Sequence, residues 1–253
     1  MEAPALIGLV HLTMFRGDWE KSRGYIAQAL TASRAAGDLW AEAYALDHLA
    51  LVEAEAGALH RCAPLARQAR ELALASPSPY AWQPLALATR VIGYDALQAS
   101  RLDEAGRWFD EVIALERRHG DTWSIGILLT DLAGLRVLEG RLDEARACAK
   151  EAMSCLQALR DRRGIGWCLQ TIAMLEAADG RAQRAAWLYG AGEAMLESIG
   201  AAGQVIVTEV QDRYLAPARQ ALGEAAFLVA ANEGRAASVA QLMLMDPGAF
   251  ATA

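Results

Sequence analysis

No run of about 18 apolar residues occurs in the chain, so no segment reads as a membrane-spanning helix. The opening residues, MEAPALIGLV, lack the cationic flank of a secretory signal. Cysteine is scarce: Cys62, Cys148, Cys155 and Cys168 show no CxxC spacing, and a helical chain of this size needs no disulfide staples. A reducing cytoplasm is therefore the expected compartment. No basic stretch offsets the net charge of −7, which argues against direct binding of nucleic acid or anionic membranes. The phosphate-cradling GxxxxGK loop is missing too, and proline is rare, with seven in 253 residues.

What the chain holds in quantity is Ala, Leu, Glu, Arg and Gln, all good helix formers. A β-rich fold would want more Val, Ile and Thr. Hydrophobic residues, at 54%, suffice for a core, while 22% charged residues keep the surface wet. The composition is that of an all-α protein.

The chain also repeats itself. GRLDEARACAKEA, starting at Gly140, restates SRLDEAGRWFDEV, starting at Ser100, with six of thirteen letters kept. Further copies start at Gly17, Gly57 and Gly180, giving intervals of 40, 43, 40 and 40 residues. The odd interval absorbs the proline-rich SPSPY, Ser76 to Tyr80. Asp38, Asp121 and Asp161 each stand nineteen residues before a turn glycine, where a carboxylate can accept the free amides of a helix start. Ser78, followed by Pro79, is expected to do the same in the third repeat. Each repeat then reads as helix A, a turn, and helix B, with bounds near 1–37, 38–77, 78–120, 121–160 and 161–200.

Small residues mark where the two helices of a repeat must cross: Ala50, Gly93, Ala133 and Ala173 in helix A, and Cys62, Ala105, Ala145 and Ala185 in helix B. One pair cannot bury both its apolar faces, but a stack of pairs can, which is why the phrase recurs. The remaining residues, 201–253, are expected to form a helical cap and tail. Pro217 should kink or split the first tail helix, and the residues after Asp246 should be loose. The alternative is that VAQLMLM docks on another molecule.

The Leu and Ala pattern before a glycine, followed by LDEA, resembles the tetratricopeptide repeat in its roughly forty-residue form, over about residues 3–199. GRAQRAAWLYGAGEAMLESIGA and RYLAPARQALGEAAFLVAANEGRAAS resemble the tail of the helical-repeat region in LuxR/MalT-type signal-transducing NTPase regulators, over about 180–240. The first resemblance implies a right-handed α-solenoid of five helix pairs closed by C-terminal helices. The second implies a sensor and self-association module of a transcriptional or signalling regulator. With no phosphate loop and no basic helix-turn-helix, the expectation is a piece of a longer regulator; a free-standing scaffold joining proteins is the alternative.

The tetratricopeptide register places helix A on the concave face. It implies a binding groove lined by Tyr44 and Asp47 of the second repeat and by Arg90, Tyr94 and Gln98 of the third. Thr130 of the fourth and Trp167 and Gln170 of the fifth complete it. Leu51, Leu138 and Met174 share that register but are better read as core. Arg90 and Asp47 have a plainer alternative, a pair that merely ties adjacent repeats. The expected occupant is a protein or peptide, or a small inducer, with self-association possible. The Lys and Asn clamp of chaperone-binding relatives is absent from these positions. Trp40 and Trp123, in matching places, read as wedges between repeats.

No catalytic group stands out. Asp103, Glu104, Asp143 and Glu144 of the LDEA phrases fall in the first turn of helix B, where the helix dipole favours negative charge. His11, His48, His60 and His119 belong to different repeats and registers, so no metal site is expected. Neither cofactor nor enzymatic activity is expected.

Overall fold

The computed structural model describes residues 2–14, 18–201 and 205–245. Among them every regular element is a helix. They fall into two compact units, Met1–Leu115 and Glu116–Ala253. The five expected A/B pairs are α1 (Glu2–Met14) with α2 (Trp19–Ala36), α3 (Leu39–Glu55) with α4 (Cys62–Ala75), α5 (Trp82–Gln98) with α6 (Leu102–His119), α7 (Thr122–Leu138) with α8 (Leu142–Ala158), and α9 (Arg162–Ala178) with α10 (Ala182–Glu197). The tail forms α11 (Val205–Leu222), α12 (Glu224–Arg235) and α13 (Val239–Met243).

The turns follow the repeat. Gly57, Ser100, Gly140 and Gly180, between helix A and helix B, all take the left-handed backbone with φ of 80°, 57°, 74° and 77°. Only glycine does so without strain, so Ser100 bears a penalty its equivalents avoid. Gly17, the first of the series, lies outside the described residues. Asp38, Asp121 and Asp161 accept from the amides of Ala41, Ser124 and Arg163. The third repeat differs from expectation. Ser78 accepts from the Tyr80 amide within a turn, and α5 starts later, at Trp82. Pro84 then occupies its first turn, where a missing N–H is harmless.

All eight crossing positions are buried. In the first unit the Cys62 thiol donates to the Ala50 carbonyl at 3.3 Å, which is the contact a close crossing requires. A methyl on Gly93 would strike Phe109 of α6. The second unit adds a further crossing in each pair: Leu156 of α8 sits over Gly126 of α7, and Leu196 of α10 over Gly166 of α9. Trp40 donates from its indole to the Tyr80 carbonyl, and Trp123 donates to the Asp161 carboxylate. Each tryptophan thus ties its repeat to the start of the next.

A charged pair recurs four residues either side of the turn. Glu53 faces Arg61 at 3.4 Å, Arg136 faces Glu144 at 3.7 Å, and Glu176 faces Arg184 at 3.6 Å. The member on helix A is buried every time. In the fourth repeat the signs are exchanged, so the position demands a partner and not a particular charge.

In the tail, α12 lies directly on α10. A methyl on Gly190 would land on the Ala231 carbonyl, and one on Gly234 on the Trp187 carbonyl. These glycines let two backbones touch and bury Phe227, Ala230 and Ala231. Pro217 does not split α11, which runs through it. Leu242 of the VAQLMLM segment is buried, and Gln157 donates to the Met245 carbonyl at 2.9 Å, so this segment docks on its own chain. The residues after 245 lie outside the described ones.

Two outcomes follow from this packing. Ala145→Leu should overpack the α7/α8 crossing by about 1–3 kcal/mol; a melting temperature equal to wild type would refute that crossing. Arg136→Glu should cost about 3 kcal/mol by burying a carboxylate beside Glu139 and Glu144. Adding Glu144→Arg should recover most of the loss, because it reproduces the charge order of the fifth repeat. A double variant no more stable than the single would show that the exchange of signs is coincidental.

Candidate interaction face

In the first unit, α3 and α5 present Asp47 and Arg90 ten residues before their turn residues, Gly57 and Ser100. Asp47 is 0% exposed, and neither of its carboxylate oxygens has a hydrogen-bond partner. Burial pushes this carboxyl well above its ordinary range, and the nearby Arg90 charge opposes the shift. Arg90 is half-buried with its Nε unbonded. No hydrogen bond joins the two, and what links these neighbouring repeats here is a through-space attraction between them. A buried acceptor left without a donor costs roughly 1–3 kcal/mol. Asp47 is thus a sealed polar group that its neighbours leave unsatisfied.

Beside it runs a line of rings. Trp40 stacks on Tyr44, with centroids 5.4 Å apart, and Tyr44 meets His48 edge-on at 4.5 Å. His48 in turn meets His11 of α1, with Nε2 to Nε2 at 2.9 Å. Burial raises the Tyr44 phenol, with the Asp47 charge adding to it. Burial also lowers the His48 imidazole to about 4, so the ring stays neutral through ordinary pH. The sequence reading kept His11 and His48 apart; the structure brings them together. Their meeting is set by how two neighbouring A helices lie side by side, which spacing along the chain does not report.

Tyr94, one turn beyond Arg90, is half-buried and leans edge-on against Phe109 at 5.5 Å. Gln98 ends α5 and is exposed. Tyr44, Asp47, Arg90 and Tyr94 therefore lie on successive A helices of one unit, with Gln98 at the open end of α5.

The second unit treats the same register differently. Thr130 is buried and donates its hydroxyl to the Gly126 carbonyl at 2.9 Å. It sits near the fully buried Cys168, whose thiol is pushed up to about 12 by desolvation. Gln170 is buried with its side chain against Gly192 of α10. Both belong to the interior as placed, because close helix crossings cover them. Trp167 remains half-buried under the Arg163 guanidinium, 5.1 Å from the ring centre, with its indole N–H unbonded. Met174 is core, as expected, while Leu51 and Leu138 are half-buried. Tyr214 of α11 packs onto the cluster containing Val137 and Met174. The chain's own tail thus covers apolar surface that the first unit leaves partly open.

An open cleft borders α10, lined by Arg181, Arg184, Trp187 and Glu233. Both arginines are already committed to Glu176. Among the described residues no three His, Cys, Asp or Glu side chains converge as metal ligands. None of the described helices is long and apolar enough to cross a membrane.

No family model and no curated protein matches this sequence. Solved structures do. BtubC (BKLC) from P. vanneervenii aligns with a TM-score of 0.59 over 86% of this chain and 91% of its own, at 15% identity. Nearly identical TPR-like repeats from Podosopora anserina align with a TM-score of 0.56 over 78% of this chain and 95% of theirs, at 13% identity. At such identities the likeness shows the fold alone: this is an all-α solenoid of tetratricopeptide-like repeats.

Proposed function

We propose that the chain is a non-catalytic protein-interaction scaffold whose binding face lies on α3 and α5. The observation that carries this reading is the half-buried set Tyr44, Arg90 and Tyr94 on neighbouring A helices, lying over the sealed and unbonded Asp47 carboxyl. Rings of this kind give contact area at little cost in side-chain entropy. Half-buried Arg90 supplies a charged donor, which suits a peptide carbonyl or carboxylate. The repeat array supplies the surface, and the tail helices α11, α12 and α13 close its second unit. The cysteines are free thiols, in keeping with work in a reducing cytoplasm. The narrower role, a sensor of a LuxR/MalT-type regulator that answers an inducer or associates with itself, rests on the resemblance of residues 180–240.

A photo-reactive phenylalanine analogue at position 94 should yield covalent partner adducts. The same probe at exposed Leu159 should yield none. Tyr94→Ala should then weaken binding of the captured partner by more than about 1 kcal/mol, as an anchor does, with the helical circular-dichroism signal kept. Equal adducts from both positions, or an affinity untouched by Tyr94→Ala, would move the binding face elsewhere.

A further inference from the structure

His11 and His48 approach Nε2 to Nε2 at 2.9 Å, with their rings inclined at 75°. Nδ1 of His48 lies 2.8 Å from the Tyr44 carbonyl oxygen, which can only accept. Nδ1 therefore carries the proton, and Nε2 keeps its lone pair. Metal-binding histidines share this arrangement: one ring nitrogen is fixed by a carbonyl and the other is offered to the ion. His48 is buried and held in place, while His11 is exposed and gives access from solvent. Neutral imidazole nitrogens suit late first-row cations.

The separation already present favours some of those cations over others, because it asks the two rings to move least. With metal–nitrogen bonds of about 2.0–2.1 Å, nitrogens 2.9 Å apart subtend about 90° at the metal, whereas a tetrahedral ion would need about 3.4 Å. A right angle between neighbouring ligands belongs to square-planar or octahedral coordination, the habit of Cu²⁺ and Ni²⁺ more than of Zn²⁺. We infer that His11 and His48 form a two-histidine site for a divalent cation of the Cu²⁺ and Ni²⁺ class, with water in the remaining positions. On binding, the His11 Nε2 proton moves to Nδ1, and the N–H···N bond between the rings gives way to two metal–nitrogen bonds. The ion then pins α1 to α3 and holds the end helix on its unit. The site adjoins the proposed binding face through Tyr44, but its two ligands are not among the residues of that face.

The experiment is a calorimetric titration of the full chain, free of any histidine tag, with NiCl₂ and separately with ZnCl₂ in chelator-free buffer. One saturable equivalent of Ni²⁺ is expected, held more tightly than Zn²⁺. His11→Ala should weaken it by more than the roughly tenfold that losing even an outer partner of a metal site produces. The variant also removes the donor to buried His48 Nε2, so without metal it should keep its helicity and melt somewhat lower than wild type. His60→Ala, at another exposed histidine, should bind as wild type does. Absence of saturable Ni²⁺ binding, tighter binding of Zn²⁺, or binding that survives His11→Ala would overturn the site.

Discussion

The structure depends on helices being allowed to approach closely at small residues in the second to fifth repeats. Where Ala50 meets Cys62, the gap is small enough for a thiol to reach a backbone carbonyl. Dispersion and apolar burial fall off within fractions of an ångström, so a larger side chain there would loosen every contact along the pair. The tail uses the same device more severely, since Gly190 and Gly234 let α10 and α12 meet backbone to backbone. Close crossing then fixes what lies on either side. One face of each helix A is sealed against helix B, and the rest must be covered by neighbouring helices or remain on the surface.

Turns and charges serve that crossing. A left-handed residue reverses the chain in the space of a few atoms, and an aspartate at the start of the next helix A satisfies its exposed amides. The ion pairs spanning the Gly57, Gly140 and Gly180 turns hold the ends of helix A and helix B together. Its sign is free because opposite charges attract equally in either order; a buried charge without a partner is what the fold cannot accept. Arg136 with Glu144 and Glu176 with Arg184 meet the same requirement in opposite ways.

Polar groups on helix A divide by what covers them. Thr130 returns its hydroxyl to its own helix, and Gln170 is enclosed against α10, so neither is left to meet a ligand. Asp47 finds no such settlement, and the rings around it remain half open. The second unit covers apolar surface with its own tail through Tyr214, and the proposed binding face therefore falls in the first.

By itself the sequence determined the helix pairs, the crossing residues, the capping aspartates and the tryptophan ties, because these are local or repeat at a fixed interval. The charged residues four positions either side of three turns also stand in the sequence, but their pairing is seen only in the structure. Other features were decided only by tertiary structure. Ser78 gave up its capping role because the proline-rich turn delays α5. Pro217 stayed within a helix. Thr130 and Gln170 share a register with Asp47 and Arg90, yet differ in burial, because neighbouring side chains and not register set what is enclosed. The meeting of His11 with His48 depends on the lateral packing of two helices thirty-seven residues apart. A repeat specifies which face a residue takes, but what lies opposite that face is settled by the next element in space.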